Sequence, residues 1–504
     1  KMNNTKFFIL AVIVSLLLSC IIQSDNNLIL SYKKIDANQI STYFKNTGEF
    51  NNNFETGGPG FQWGPGRYAR LISRLVIGAV SGTDTLISVG GEFQPGYIDV
   101  NGIPHGREDS VYRVYKIIKG DTTGSDYRNW PSGQGAYVKD NGKPFVIGDQ
   151  TLFSAYTDGY SDAHIYNAPL KADILETDWA FDLYGPMGNA VFSEFRIINR
   201  GTSVWNDFYA GIYTDDDIGE STDDKVCNDS TLNIGYTFNS NNISYGSAPP
   251  AVAFDVMSGM ARYTGNSDDS VVIYKPYTSN RRIVKRGYKN LYLSSFNPLL
   301  NMHPVIGDPL DTKEYYNLMK GLKKDGSTWI NPSTNLPTKF PCDNFGGGDY
   351  RFIISSGPVN VNPGDTQTFI TGQLIARGST NLTSVIFLKS SAAAINNLFK
   401  SNFNTTFVND PVIVNIPDNY KLYQNFPNPF NPVTKIKFSL AASGNIDLTV
   451  YDMSGKVVAV LTKGFHDAGD KEVTFDGSNL PSGIYFYKLT IKNLSATLKM
   501  VLVK

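Results

Sequence analysis

Immediately after a strand-like run, residues 215–224 read Asp-Asp-Asp-Ile-Gly-Glu-Ser-Thr-Asp-Asp, placing five aspartates and one glutamate in ten positions. Carboxylates this close repel one another unless a hard cation neutralises them. Calcium takes oxygens from carboxylates and backbone carbonyls, and Gly219 permits the tight turn that points such groups inward. The spacing is not that of an EF-hand loop. The expected ligands are Asp215, Asp217, Asp223 and Asp224, with Glu220 as a further candidate. The simpler alternative is a solvated acidic loop. Paired-carboxylate hydrolysis fits less well, because acid–base work needs two carboxyls in different environments across a cleft.

Other catalytic patterns are sparse. The four histidines, His105, His164, His303 and His466, form no His-Glu-x-x-His arrangement. The chain has no Gly-x-Ser-x-Gly elbow, no Cys-x-x-Cys pair and no dinucleotide fingerprint. Residues 158–164 bring Asp158, Ser161, Asp162 and His164 together, but triads assemble in space and this run reads as a loop. The glycine cluster at 57–66 lacks the Lys-Ser/Thr pair that would close a phosphate loop. Dispersed carboxylates such as Glu92, Asp178 or Glu194 keep a glycosidase open as an alternative, and Trp63 and Trp130 could stack on sugars or pack in a core.

The elements that must position these groups read as mainly β. Lys and Arg total 45 against 46 Asp and Glu, so no electrostatic footprint for nucleic acid exists. Twenty-nine Tyr, 30 Phe and 46 Gly among Asn- and Ser-rich spacers favour short strands and turns. Strands are expected at 71–80, 84–89, 111–118, 145–147, 190–198 and 208–214, where 190–198 alternates cleanly. Further strands at 352–356 and 366–376 precede a helix that Ser379 or Thr380 caps and that runs to about residue 402. Its apolar positions, from Leu382 to Phe399, recur at three and four. The expected fold class is a β-sandwich-type body with this one long helix, followed by an Ig-like β-sandwich. After Cys20, only Cys227 and Cys342 remain, and their spacing alone leaves a disulfide open.

The tail is the most legible segment. Pro427, Pro429 and Pro432 hold the chain extended, and about seven short alternating strands follow to residue 504. Its ordered motifs are the 425–432 entry, Val450-Tyr-Asp-Met-Ser-Gly-Lys456, Leu480-Pro-Ser-Gly-Ile-Tyr-Phe-Tyr487 and the basic-apolar end at 499–504. These resemble the type A C-terminal sorting domain carried by cargo of the bacterial type IX secretion system. The resemblance implies recognition by an outer-membrane translocon and its sorting machinery, and a secreted or cell-surface destination. More diffusely, blocks at 93–96, 214–239, 245–251 and 351–403 resemble large secreted proteins of unassigned activity from the Bacteroidetes–Ignavibacteria lineage.

At the other end, a short basic start and the apolar run 7–18 read as a signal peptide, residues 1–20, with Met2 as the expected start. Leu17-Leu18-Ser19-Cys20 also resembles a lipobox, which would make Cys20 a lipid anchor. No other apolar run in the sequence approaches membrane-spanning length. The expected organisation is a β-rich body over 35–350 with room for two subdomains, a strand-strand-helix extension at 351–410, a linker at 411–419 and the sorting domain at 420–504. The expected function is structural or adhesive, with a polysaccharide or cell-surface ligand and no nucleic-acid partner. The alternative is a secreted hydrolase of polysaccharide or peptide.

Overall fold

Alternation along Trp205–Asp215 shows how the body is built. Phe208, Ala210, Ile212 and Thr214 point into the interior, while Tyr209 and Tyr213 point the other way. The computed structural model describes residues 28–64, 66–239, 245, 248–274, 282–342, 346–400, 421–440, 444–466, 469–491 and 494–504. The expected signal peptide, Cys20 and the 411–419 linker lie outside them.

Two large antiparallel sheets form the frame of the body, with short two-strand ribbons at its edges. In the ten-stranded sheet, Ser295–Leu300, Tyr350–Val361, Trp205–Asp215 and Ile72–Ser81 lie side by side. In the nine-stranded sheet, Gln150–Thr157, Ala172–Ala180, Ala190–Asn199, Thr366–Ala376, Ala251–Ser258, Ile234–Asn239 and Asp224–Asp229 follow in that order. The main core lies between them, with Leu75, Ile77, Ile212 and Phe352 from one sheet meeting Ile174, Phe195, Phe254 and Phe369 from the other. Tyr350–Val361 and Thr366–Ala376 are sequence neighbours, yet each is an interior strand of a different sheet. The extension expected at 351–410 therefore supplies structural centres to the body. The Asn381–Lys400 helix packs Leu388, Ala392, Ile395 and Phe399 on the outer face of the nine-stranded sheet. By length and composition it could cross a membrane, but Leu388, Ala392, Ile395 and Phe399 are buried against strands of the body. Thr380 and Thr383 exchange hydroxyl–amide hydrogen bonds of 2.7 and 3.1 Å across its first turn, the expected cap in reciprocal form.

Two strand expectations need correction. Residues 111–118 begin as a 3₁₀ turn, Ser110–Tyr112, because Asp109 accepts from the Val111 amide, and the strand starts only at Tyr115. Residues 145–147 form no strand. They follow an isolated Val138–Pro144 bridge and help cover the nine-stranded sheet.

The tail folds separately around its own core, including Phe430, Ile436, Leu448, Tyr487 and Met500. Lys421–Leu422, Val433–Leu440 and Gly469–Asp476 form one sheet. Val457–His466, Gly444–Tyr451, Gly483–Ile491 and Leu494–Leu502 form the other. Seven strands in two sheets match the Ig-like expectation. The proline entry is anchored where Tyr487 Oη accepts from the Asn425 amide at 2.8 Å and donates to the Tyr423 carbonyl at 2.8 Å.

The body interior is unusually polar. Arg70 and Asp216 are fully buried and ion-paired at 2.8 Å. Arg70 lies 4.0 Å from the Phe254 ring centroid and 5.2 Å from that of Phe61. It donates to Gln373 Oε1 at 3.0 Å, which also accepts from Asn51 at 2.8 Å, so one amide side chain ties the two sheets together. Thr214 and Thr237 donate to Asp216 at 2.7 and 2.8 Å. Nearby, Glu176 and Asp178 share the same inner face. Burial pushes Glu176 up to about 8, and burial together with Glu176 pushes Asp178 up as well.

Removing one partner of the Arg70–Asp216 pair strands a buried charge, which costs about 3–5 kcal/mol. Asp216→Ala should shift the urea midpoint accordingly, while Arg70→Met with Asp216→Leu should recover most of the loss. A single-variant loss near zero contradicts the assignment. The Glu176 carboxyl keeps its proton in the folded chain at pH values where the unfolded chain releases it. Stability is therefore full below the unfolded carboxylate range and falls as pH climbs toward about 8. Glu176→Gln should flatten that fall in denaturant titrations run across the range.

Candidate cation site

The buried pair fixes the root of the acidic loop. With Asp216 turned into the interior, strand alternation turns its neighbours Asp215 and Asp217 to the opposite side. There they meet Asp349, which lies just before Tyr350–Val361. One carboxylate oxygen from each of the three lies within 4.8 Å of the others. An ion bound at calcium's ordinary 2.3–2.6 Å from each oxygen spans such separations. Asp215 Oδ1 is buried without a hydrogen-bond partner.

Arg351 organises the rim. It sits opposite Asp215 in the strand register and pairs with Asp215 Oδ2 at 2.9 Å, Asp308 Oδ2 at 2.9 Å and Asp349 Oδ1 at 3.5 Å. Asn301 donates to Asp349 Oδ2 at 2.6 Å, and Tyr213 Oη donates to Asp308 at 2.9 Å. One guanidinium thus faces several carboxylates. Burial, with Arg351 opposing, pushes Asp215 up to about 6, and burial with Asp215 and Asp349 beside it pushes Asp217 up to about 7.

Asp349 is absent from the sequence-based ligand set because it lies more than a hundred residues beyond the loop. Three local contacts bring it in. Cys227 and Cys342 form a disulfide with Cα atoms 4.5 Å apart. Asn228 donates to the Pro341 carbonyl at 3.0 Å, and the Gly348 amide donates to Asp224 O at 3.0 Å. Gly347 permits this approach, since a Cβ there would sit 3.1 Å from the Asp223 backbone. The remaining expected ligands are placed differently. Glu220 is exposed at the loop tip. Asp223 accepts from Asn239 at 3.0 Å. Asp224 is fully buried, with the Ile218 amide directed at its carboxyl. Burial, then Asp217, Asp216 and Asp223, push it well up, with only the Ile218 amide opposing among these neighbours. It therefore lies beside the trio without belonging to it.

The carboxylates weighed for hydrolysis are enclosed. Glu92 lies against His164 at 3.7 Å, and both side chains are buried. Asp178 accepts from Ser193 inside the sandwich at 2.7 Å. Glu194 accepts from Tyr137 Oη and pairs with Arg196 at 3.3 Å. Trp130 donates its indole N–H to the Tyr137 carbonyl and packs in a small cluster with Tyr115 and Phe153, while Trp63 bonds Asn189.

Residues 424–504 match the family model described as a secretion system C-terminal sorting domain. Among solved structures, the chain aligns with a polysaccharide lyase at 7% identity and TM-score 0.24, over 95% of this chain and 47% of that one. It aligns with latent dimeric PorU from Porphyromonas gingivalis at 10% identity and TM-score 0.16, over 94% and 34%. It also aligns with PorZ, a surface component of the type IX secretion system of that organism, at 11% and 0.16, over 95% and 57%. The chain thus spans less than two thirds of each of these proteins. No curated protein matches it in sequence.

A cation that binds only the folded site raises the unfolding temperature by mass action. Calcium should raise the midpoint and a chelator should lower it. Asp217→Asn and Asp349→Asn should each abolish the difference, whereas Glu220→Gln should preserve it. Because protons compete for Asp215 and Asp217, calcium affinity should rise between pH 5 and pH 8. A pH-independent affinity in calorimetric titrations would count against these ligands.

Proposed function

We propose that this chain is a non-catalytic, structural or adhesive β protein, delivered by its sorting domain and stiffened by calcium at Asp215, Asp217 and Asp349. What supports the destination is the sorting-domain match at residues 424–504. The chain is type IX secretion cargo, and residues 424–504 are the sorting domain by which the secretion machinery handles it to the exterior or the outer-membrane surface.

The observation that carries the non-catalytic reading is the enclosure of Glu92, Asp178 and Glu194, each at most 5% exposed. Glycoside hydrolysis needs two carboxyls facing one cleft, about 5–10 Å apart. Two body cavities are lined by described residues. One contains a single carboxylate, Asp173, already tied to Arg200 at 2.8 Å. The other, beside Trp63 and Arg377, contains none. The acidic trio could hold an ion, and its carboxylates are tied to Arg351 and Asn301 in a way that suits support of the loop.

Deleting residues 420–504 should strand the protein in the periplasm while the body retains its melting transition. Fractionation with protease shaving of intact cells reads this directly. Undiminished surface delivery of the truncated chain would overturn the sorting role. Release of new reducing ends or peptides by the purified body would overturn the non-catalytic reading.

A further inference from the structure

The outer face of the nine-stranded sheet carries the Asn381–Lys400 helix on one part and the segment around Trp130 on another. Beside the latter is a cavity of about 240 Å³, lined by Tyr97, Tyr112, Gln134, Asp173 and Arg200 among others. Drug-sized ligands occupy roughly 300–1,000 Å³, so this cavity suits a single ring.

Its wall is aromatic. The Tyr97 and Tyr112 ring centroids are 5.9 Å apart and their planes are inclined by 31°, with His105 continuing the surface 5.6 Å from Tyr97. Glycines make this close packing possible. A Cβ on Gly106 would lie 2.6 Å from the Tyr112 ring, and one on Gly96 would lie 1.8 Å from the His105 carbonyl oxygen. Tyr97 keeps 42% of its surface exposed, so the wall is open to solvent.

The polar lining narrows the ligand. Asp173 accepts from the Ile98 amide at 2.9 Å and pairs with Arg200 at 2.8 Å, so the cavity has no net charge to attract an ion. Gln134 donates to the Val111 carbonyl at 2.6 Å, and its buried Oε1 has no hydrogen-bond partner. That oxygen is closed off from the cavity, whereas Arg200 keeps 42% of its side chain exposed, so a wholly apolar guest would strip water from its guanidinium N–H groups without replacing it, at a cost. A neutral ring with one C–H face and several hydroxyl donors satisfies both halves of the lining. We propose that this cavity binds a neutral pyranose of a glycan, with its C–H face on Tyr97 and Tyr112 and its hydroxyls on Asp173 and Arg200.

The proposal deepens the adhesive reading by naming a ligand class and a site. Binding measured on purified protein can fail while export succeeds, and the reverse, so the two are separable. The probes are the methyl glycosides of glucose, galactose, mannose and N-acetylglucosamine, observed by saturation-transfer NMR with the full chain. At least one should show transfer concentrated on its ring C–H protons. Tyr97→Ala and Arg200→Lys should each weaken that glycoside about tenfold or more, and Tyr97→Phe should retain it. If Tyr97→Ala also lowers the unfolding midpoint, Arg200→Lys, which keeps the charge beside Asp173, decides. No transfer from any of these glycosides, or transfer unchanged in Arg200→Lys, would overturn the proposal.

Discussion

The structure depends on a charged pair placed where water cannot reach it. Arg70 and Asp216 meet between two sheets, with aromatic rings of Phe61 and Phe254 beside the guanidinium. Desolvation of such a pair offsets much of its attraction, so it is a poor source of net stability. What it contributes here is register. Through Gln373 and Asn51 it couples the two sheets, and through Thr214 and Thr237 it fixes which residue of the Asp215-Asp216-Asp217 run points inward. A slip by one residue would bury two unpaired aspartates and expose their partner.

That alternation divides one acidic run into two functions. Asp216 belongs to the core, whereas Asp215 and Asp217 converge with Asp349 on the far side of the sheet. Arg351 supplies one positive charge to that side, and it opposes the burial that raises the proton affinities of Asp215 and Asp217, with neighbouring carboxylates adding to the rise. On the proposed reading, the site exchanges protons at low pH for a hard cation at neutral pH. The Cys227–Cys342 bond and the Gly347 approach hold the distant carboxylate in place.

Much of the fold was legible in the sequence. The strand expected at 84–89 is Asp84–Val89 and that at 366–376 is Thr366–Ala376, since turn residues bound both. The tail sandwich followed from alternation and ordered motifs. Gln150–Thr157, Ala172–Ala180 and Ala251–Ser258 were not legible, because both faces of these strands are covered and their polar members, such as Glu176, Asp178 and Asp255, point into the protein. Periodicity carries no inside–outside signal there. In the candidate site, Asp215 and Asp217 were found from local charge density. Asp349 was not, since its neighbourhood arises only when Tyr350–Val361 pairs with Trp205–Asp215. The glycines of 346–348 beside a lone aspartate were the available signal. Glu220 was included on proximity in sequence, which a turn centred on Gly219 undoes by carrying it to the loop tip.

The central claim is that a metal ion sits among Asp215, Asp217 and Asp349 and holds the acidic loop to the sheet. Anomalous diffraction from crystals grown with a calcium-mimicking lanthanide locates such an ion without assumption about its ligands. The account predicts one strong peak about 2.3–2.6 Å from an oxygen of each of these three residues. An empty trio, with the ion at the exposed tip near Glu220 or nowhere on the body, would contradict it.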